Sequence, residues 1–524
     1  MSERLALPLL LVAAVAVGAA AVWPVPLAPL ALVPDTTFTE GHRVALGFAD
    51  GTLGPRLLDI AGGADFRSLL WPADLLASVV GPVLALNLLF VLTPAFNAVC
   101  GWLLGAALGL GGWSRFVLGA AVAFNPWVHS TLANGQLEQA VIGGAALVWA
   151  VALVAERRVW LAPVLTVTTL AVGAAAPHVA LAACLGLPVW AAGSVLRARH
   201  EPRAAARIGG VWLVLLGAAA LGAWLSARYH APSFDAVVRL FAPFGSVDAA
   251  PTGGHVKRAV LLRDLFTPPG APPRLANGVV HSGYLGLPLL LAALGGAWWR
   301  RSPLLAGLAC LVLAFGAGST VPLPYAALEA LSPTIAASGT PYRFLVGALV
   351  GLAASAAVIP WGPRGALALV ALLWADAWRG DPRALPLATT VVTVDPSAIA
   401  LREGSGPVLD LPVSGPRCKE GATHFLLEAT VHKRSIPVVM RAQWEAWPAP
   451  GLGRAADRAF ARRVEAGLTA CDPAVIAEIR AAGFTSIVAH GHRDCNLSLA
   501  ESTCLRSAFG PGTAEGKVVW WNLE

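Results

Sequence analysis

The chain has 524 residues, of which 56% are hydrophobic and 13% charged, against about 25% charged in a typical soluble domain. Mean hydropathy is +0.67, and the formal net charge of +7 is carried mostly by arginine in short polar breaks. These figures exclude an ordinary soluble globular protein and point to a polytopic membrane protein. No basic patch with interleaved aromatics is present, so a nucleic-acid partner is excluded and the arginines are read as topology information.

The first apolar run, Leu5 to Val33, carries no charge and exceeds the roughly 20 residues needed to cross a hydrocarbon core. It is too long for the h-region of a cleaved signal, and Trp23-Pro24-Val25-Pro26 is a poor cleavage site, so it reads as a retained helix. Beyond it comes Pro34-Asp35-Thr36-Thr37-Phe38-Thr39-Glu40-Gly41-His42-Arg43, the first place where acids, a histidine and a base follow the apolar run. Asp35 and Glu40 are there as candidates for proton chemistry at the outer mouth of a helix bundle, with His42 and Arg43 as substrate-binding neighbours; a wet loop explains the same residues.

Polar or Pro/Gly-rich breaks separate apolar blocks of crossing length. Crossings are expected near 5–24, 81–106, 114–128, 138–155, 159–176, 178–196, 208–227, 284–299, 303–318, 343–360 and 364–378, about eleven in all. With that alternation Arg4, Arg115, Arg157-Arg158, Arg197, Arg199, Arg203, Arg207, Arg300-Arg301 and Arg364 fall on one side, which the positive-inside rule makes cytoplasmic. Residues 1–378 then form a transmembrane domain with external loops at about 34–80 and 228–283. Asn87 and Asn97 lie in the second crossing, where helix–helix hydrogen bonding is the default use of a polar group. His129, Asn134, Gln136 and Glu138 fall in an external turn, as pocket residues or as a wet hairpin.

From about 379 the composition changes to that of a small α/β domain, residues 379–524. Val408–Val413, Ser435–Val439, Thr485–His490 and Lys517–Leu523 read as strands. Gly453–Leu468 and Pro473–Ala482 read as helices, the second entered through Asp472 and left through Gly483. Cys418, Cys471, Cys495 and Cys504 all belong to it, an even number compatible with two disulfides in an oxidising compartment, with the pairing open. Cys100, Cys184 and Cys310 lie in apolar runs.

Several stretches, in order, cover nearly the whole chain: Trp71–Leu76, Ala123-Phe124-Asn125-Pro126-Trp127 with Ala133–Glu138, Tyr284-Leu285-Gly286-Leu287-Pro288, Pro341-Tyr342-Arg343-Phe344, and, in the C-terminal domain, Val408–Pro412, Thr430–Pro437 and Gly483–His490. Together they resemble the polytopic membrane glycosyltransferases with the GT-C fold, in particular the YfhO-like group. The resemblance implies a GT-C-like bundle with a C-terminal extracytoplasmic α/β domain, a polyprenyl-phosphate sugar donor, and a glycan, lipid or protein acceptor on the outer face. By it, Asp35 matches the first-loop acid that serves as base or acceptor-positioning group, although the next acid is Glu40 where the commoner form has two adjacent. Arg343, Gln136, Glu138 and Tyr284 are the further substrate-binding candidates. No cofactor is certain, and a divalent metal ion at Asp35 and Glu40 is left open.

A base within reach of the acceptor hydroxyl and a cation for the departing phosphate are what such a transfer needs. Asp35 and Arg343 supply the two types, Arg343 through a bidentate guanidinium–phosphate contact or, alternatively, as a snorkelling anchor. Two non-enzymatic readings stand beside this one: a lipid or polysaccharide transporter, and a non-catalytic assembly protein of the cell envelope. The Ala/Gly/Arg-rich composition points to a bacterium, hence to its cytoplasmic membrane with the N-terminus inside. GxxxxGK[ST] and GxSxG are both missing, which argues against a nucleotide-driven pump and a serine hydrolase.

Overall fold

The structure is a computed structural model and describes residues 3–29, 32–34, 76, 79–133, 137–229, 260, 262–266, 283–316, 325, 341–379, 389–391, 396–406, 408–412, 432, 458–492 and 495–523. It is mostly helical, with a two-stranded and a five-stranded sheet among the described residues. Contacts divide the chain into two units, one holding the described residues of 3–34, 87–229 and 260–390, the other those of 76–86 and from 391 onward.

In the first unit the helices are α1 (Ala6–Ala21), α2 (Pro82–Ala107), α3 (Gly112–Ala123), α4 (Pro126–Ala133), α5 (Leu137–Ala140), α6 (Gly143–Arg157), α7 (Ala162–Ala175), α8 (Pro177–Arg197), α9 (Pro202–Tyr229), α10 (Leu287–Ala297), α11 (Arg301–Ala314), α12 (Leu345–Ala357) and α13 (Pro363–Arg379). A short strand, β1 (Leu32–Pro34), follows α1, and β2 (Thr389–Val391) leads toward the second unit. Each expected crossing contains a helix. Four stretches are long and apolar enough to span a membrane, namely Val83–Ala107, Gly112–Ala133, Pro177–Arg197 and Pro202–Ser226. Ala6–Ala21, Val159–Ala175, Leu287–Ala297, Arg301–Ala314 and Pro341–Ala357 are apolar but shorter. The chain is therefore a membrane protein by its helices, while the expected eleven crossings reduce to four of full length among the described residues.

Helix α12 is apolar all round and every one of its 13 residues is buried, as a helix at the centre of a bundle must be. Close approach at its sides comes from small residues. Gly307 of α11 and Gly351 of α12 face each other with no room for a Cβ on either, and a Cβ on Gly296 of α10 would strike the Ser355 carbonyl of α12. Ser355 Oγ donates to the Ala293 carbonyl at 2.7 Å. Small interfaces and interhelical hydrogen bonds are what hold helices together where lipid removes the hydrophobic drive.

Of the two asparagines of α2, Asn97 makes the expected helix–helix hydrogen bonds, whereas Asn87 bonds the turn that follows α1. Asn97 Nδ2 donates to the Ala140 carbonyl and its Oδ1 accepts from Gly143 N–H, each at 2.8 Å. Asn87 Nδ2 donates to the Pro29 carbonyl at 2.7 Å.

The arginines do gather at one end of the bundle. Ser114, at the start of α3, donates to the Ile359 carbonyl beyond α12. Arg300 Nη1 lies 3.5 Å from the Leu108 carbonyl, Arg197 Nη1 3.5 Å from Ser302 Oγ, and Ser194 donates to Glu156 at 3.0 Å. The ends of α2, α6, α8, α10 and α12 thus meet the starts of α3 and α11.

The second unit has α14 (Pro396–Ala400), β3 (Val408–Leu411), α15 (Arg458–Ala470), α16 (Pro473–Ala481), β4 (Ser486–His492), β5 (Cys495–Asn496), α17 (Leu499–Phe509), β6 (Thr513–Glu515) and β7 (Val518–Asn522). Strand order is β3-β4-β7-β6, with β5 off the path beside β4. β3 and β4 run parallel, Leu409 opposite Ile487; β4 and β7 are antiparallel, Val488 opposite Trp520. Leu409, Leu411, Ile479, Ile487 and Trp521 build the core. Asp472 caps α16 by accepting from Ala474 N–H at 2.9 Å, and Gly483 leaves it at φ +79, both as read from the sequence. Helix α17 was not foreseen; its signal is the capping box Ser498–Glu501, formed in both directions. The expected strand Ser435–Val439 lies outside the described residues. Asp410 Oδ1 sits 2.9 Å from His490 Nε2, both side chains buried.

Cys471 and Cys504 form a disulfide closing 33 residues and joining the end of α15 to α17. Replacing both by alanine is expected to cost the second unit about 3–4 kcal/mol through the restored entropy of that loop. Calorimetry of the full chain would show the second unit's transition falling by several degrees, and an unmoved transition would contradict the estimate.

Candidate functional site

The end of the first unit opposite the arginines is built around the break between α3 and α4. Phe124 and Asn125 leave helical geometry there, and the Asn125 side chain replaces the lost backbone bonds: Nδ2 donates to the Ala121 and Val122 carbonyls, and Oδ1 accepts from Val128 N–H at 3.0 Å. Pro126 starts α4 because it has no N–H to satisfy. Trp127, fully buried, then donates Nε1–H to the Gln139 carbonyl of α5 at 2.9 Å and lies 5.9 Å from the Tyr342 ring.

The turn Tyr284–Pro288 has a definite job. Gly286 has φ +88, a conformation costly for any residue with a Cβ, and a Cβ there would meet Asp376 Oδ2 at 3.0 Å and Pro126 Cδ at 3.8 Å. Tyr284 hydroxyl accepts from Leu287 N–H at 2.9 Å, capping α10, and donates to Asp376 Oδ1 at 2.8 Å. One buried tyrosine therefore starts a helix and fixes a carboxylate in the last turns of α13. Arg343 sits in a single 3-10 turn, Pro341–Phe344, whose flanking Tyr342 and Phe344 are buried against Trp127 and Tyr325. Arg343 as a whole is half-buried.

Beside α4 lies an apolar cleft of about 40 Å³, bounded by Ala20, Pro94, Phe124, Leu132 and Trp374 with His129 and Asn125 as its polar members. It has room for a few waters or a short stretch of hydrocarbon. Gln139 is wholly buried, and neither its side-chain oxygen nor its nitrogen has a hydrogen-bond partner among the described residues. Such a group calls for a bound water or polar ligand, since leaving it bare costs about 1–3 kcal/mol.

Among the candidates from the sequence, Tyr284 and Arg343 lie at this end of the bundle. Asp35, Glu40, His42, Arg43 and Gln136 lie outside the described residues, and of Glu138 only the backbone, in α5, is described. Asp376 and Gln139 were missed. Asp376 had a signal, an ionisable residue inside an apolar block, whereas nothing marked Gln139 apart from its neighbours. Among the described residues no three His, Cys, Asp or Glu side chains cluster as metal ligands.

Two outcomes follow. Tyr284→Phe and Gly286→Ala should each destabilise the first unit by about 1–3 kcal/mol, read as a lower melting temperature in detergent; an unchanged value for both would refute the capping role. Gln139→Met should leave the ligand-free protein as stable or more stable, because it removes an unsatisfied amide, and a marked loss would show that the amide is satisfied by protein.

Set against protein-family models the chain matches none, and none of the curated proteins matches it either.

Proposed function

We propose that the chain is a membrane glycosyltransferase of GT-C, YfhO-like type, moving a sugar from a polyprenyl-phosphate donor to an envelope glycan, lipid or protein acceptor. One observation carries the reading: Asn125-Pro126-Trp127, Tyr284–Pro288 and Pro341–Phe344, far apart in sequence, converge on one end of the bundle beside an apolar cleft. Those are motifs on which the resemblance to that group rests.

The chemistry needs few groups. A carboxylate takes the acceptor's hydroxyl proton, the acceptor oxygen bonds to the anomeric carbon, and the bond from that carbon to the phosphate oxygen breaks, releasing polyprenyl phosphate. Asp35, by resemblance, is the base. Asp376, oriented by Tyr284, is a second carboxylate suited to holding an acceptor hydroxyl. Arg343 meets the charge of the departing phosphate, and the cleft receives hydrocarbon of the donor.

The positive-inside rule makes the arginine end cytoplasmic, so that the N-terminus is inside and the candidate site and C-terminal unit are outside. The Cys471–Cys504 disulfide accords with an oxidising compartment such as the bacterial periplasm.

The test is complementation of a deletion strain with Asp35→Asn, Arg343→Gln and Asp376→Asn forms, matched for membrane abundance, with glycan product measured by mass spectrometry. Loss of the base should lower product formation on the order of 100-fold or more. Full product from all three forms would remove the enzyme reading and favour a non-catalytic assembly role.

A further inference from the structure

The arginine-rich end carries a cluster that the transfer chemistry does not use. Arg157 ends α6, Arg197 ends α8 and Arg300 precedes α11, and the charges that act on Arg300 are those of Arg197, Arg157 and one acid, Glu156. Glu156 is already engaged: its Oε2 accepts from Ser194 Oγ at 3.0 Å, and Ser194 accepts from Arg197 Nη2 at 2.7 Å. Arg197 Nη1 reaches toward Ser302 Oγ at 3.5 Å, which draws the start of α11 into the same cluster. Arg300 is half-buried; burial first, and then repulsion from Arg197, hold its guanidinium below the ordinary range.

Placement makes the imbalance worse. Arg300 is the N-cap of α11 and Arg301 its first residue, and the helix has no side-chain cap and no acid in its first turn. A helix N-terminus carries partial positive charge and disfavours cations. An anion would relieve all of these at once.

The surroundings say where that anion comes from. Trp298, Trp299 and Trp160 are 92%, 64% and 69% exposed and flank Arg300-Arg301 and Arg157-Arg158 in sequence. Exposed tryptophans beside arginines at helix ends belong at the headgroup level of a bilayer. Leu196 and Leu294, one residue before Arg197 and one and a half turns before Arg300, are exposed as well, and such faces meet acyl chains.

We propose that Arg197 and Arg300, with Ser302, hold the phosphate of an anionic membrane phospholipid at the end of the bundle opposite the candidate site. Bidentate guanidinium contacts suit a phosphodiester, and a zwitterionic lipid offers the same phosphate with a cation that this cluster repels. The bound lipid would tie together the ends of α6, α8, α10 and α11, independently of any transfer activity.

The experiment is native mass spectrometry of the full-length protein in mild detergent with equal amounts of phosphatidylglycerol and phosphatidylcholine. The wild type should retain phosphatidylglycerol on the order of tenfold over phosphatidylcholine, the scale of two arginines near a headgroup. Arg197→Gln with Arg300→Gln should bring the ratio close to one, while Arg207→Gln, on an exposed part of α9, should leave it unchanged. Absence of a preference in the wild type, or an undiminished preference in the double variant, would overturn the proposal. Displacement of the lipid by millimolar inorganic phosphate would overturn it too, by making the cluster a site for a soluble anion. Should the double variant fail to fold, the wild-type ratio and the phosphate competition still decide.

Discussion

The structure depends on how backbone groups freed by helix breaks are satisfied within an apolar bundle. A bare N–H or carbonyl there costs several kcal/mol, more than a single hydrogen bond returns elsewhere. Two asparagines meet this demand. Asn125 serves two carbonyls and one N–H at the break between α3 and α4, and Asn97 serves one of each where α5 gives way to α6. With both breaks closed in this way, α4 can turn Trp127 toward Gln139 and Tyr342. Without them the segment Gly112–Ala133 would run on as one apolar rod, and the three motifs would have no common meeting place.

From that constraint the two ends of the bundle acquire different chemistry. At one end the breaks and the Gly286 turn bring together a tyrosine-held carboxylate, an arginine braced by aromatic neighbours and a small apolar cleft. At the other, short connections carry arginines that outnumber their acids, ringed by exposed tryptophans. Helix α12 separates them as a rigid apolar core whose small residues allow close approach by α10 and α11. The C-terminal unit rests on different forces: sheet pairing, an ordinary hydrophobic core, a capping box and a disulfide.

Much of the helix layout was legible because a crossing needs only length and apolarity, which are additive along the chain. The break at Phe124–Asn125 was not, since it interrupts a run whose hydropathy stays high; Asn-Pro is its one local mark. Tyr284 stood out as part of a motif, but its partner did not: Asp376 lies 92 residues away inside an apolar block, where one acid scarcely alters the average. Gln139 owes its interest to burial, a tertiary property. Caps were readable where the signal is local, as at Asp472, and Ser498–Glu501 carried the same kind of signal for α17. The first-loop acids, which the sequence reading placed at the centre, lie outside the described residues; at this end Asp376 is the carboxylate held by Tyr284, and Asp264 lies against Gly283.

The most direct test of the account compares lipid-linked sugars and envelope glycans, by mass spectrometry, between the parent strain and one lacking this chain. The account predicts that one sugar disappears from a glycan while its polyprenyl-phosphate carrier accumulates. Unchanged glycans and carriers would contradict it, and would direct attention to what the C-terminal unit binds.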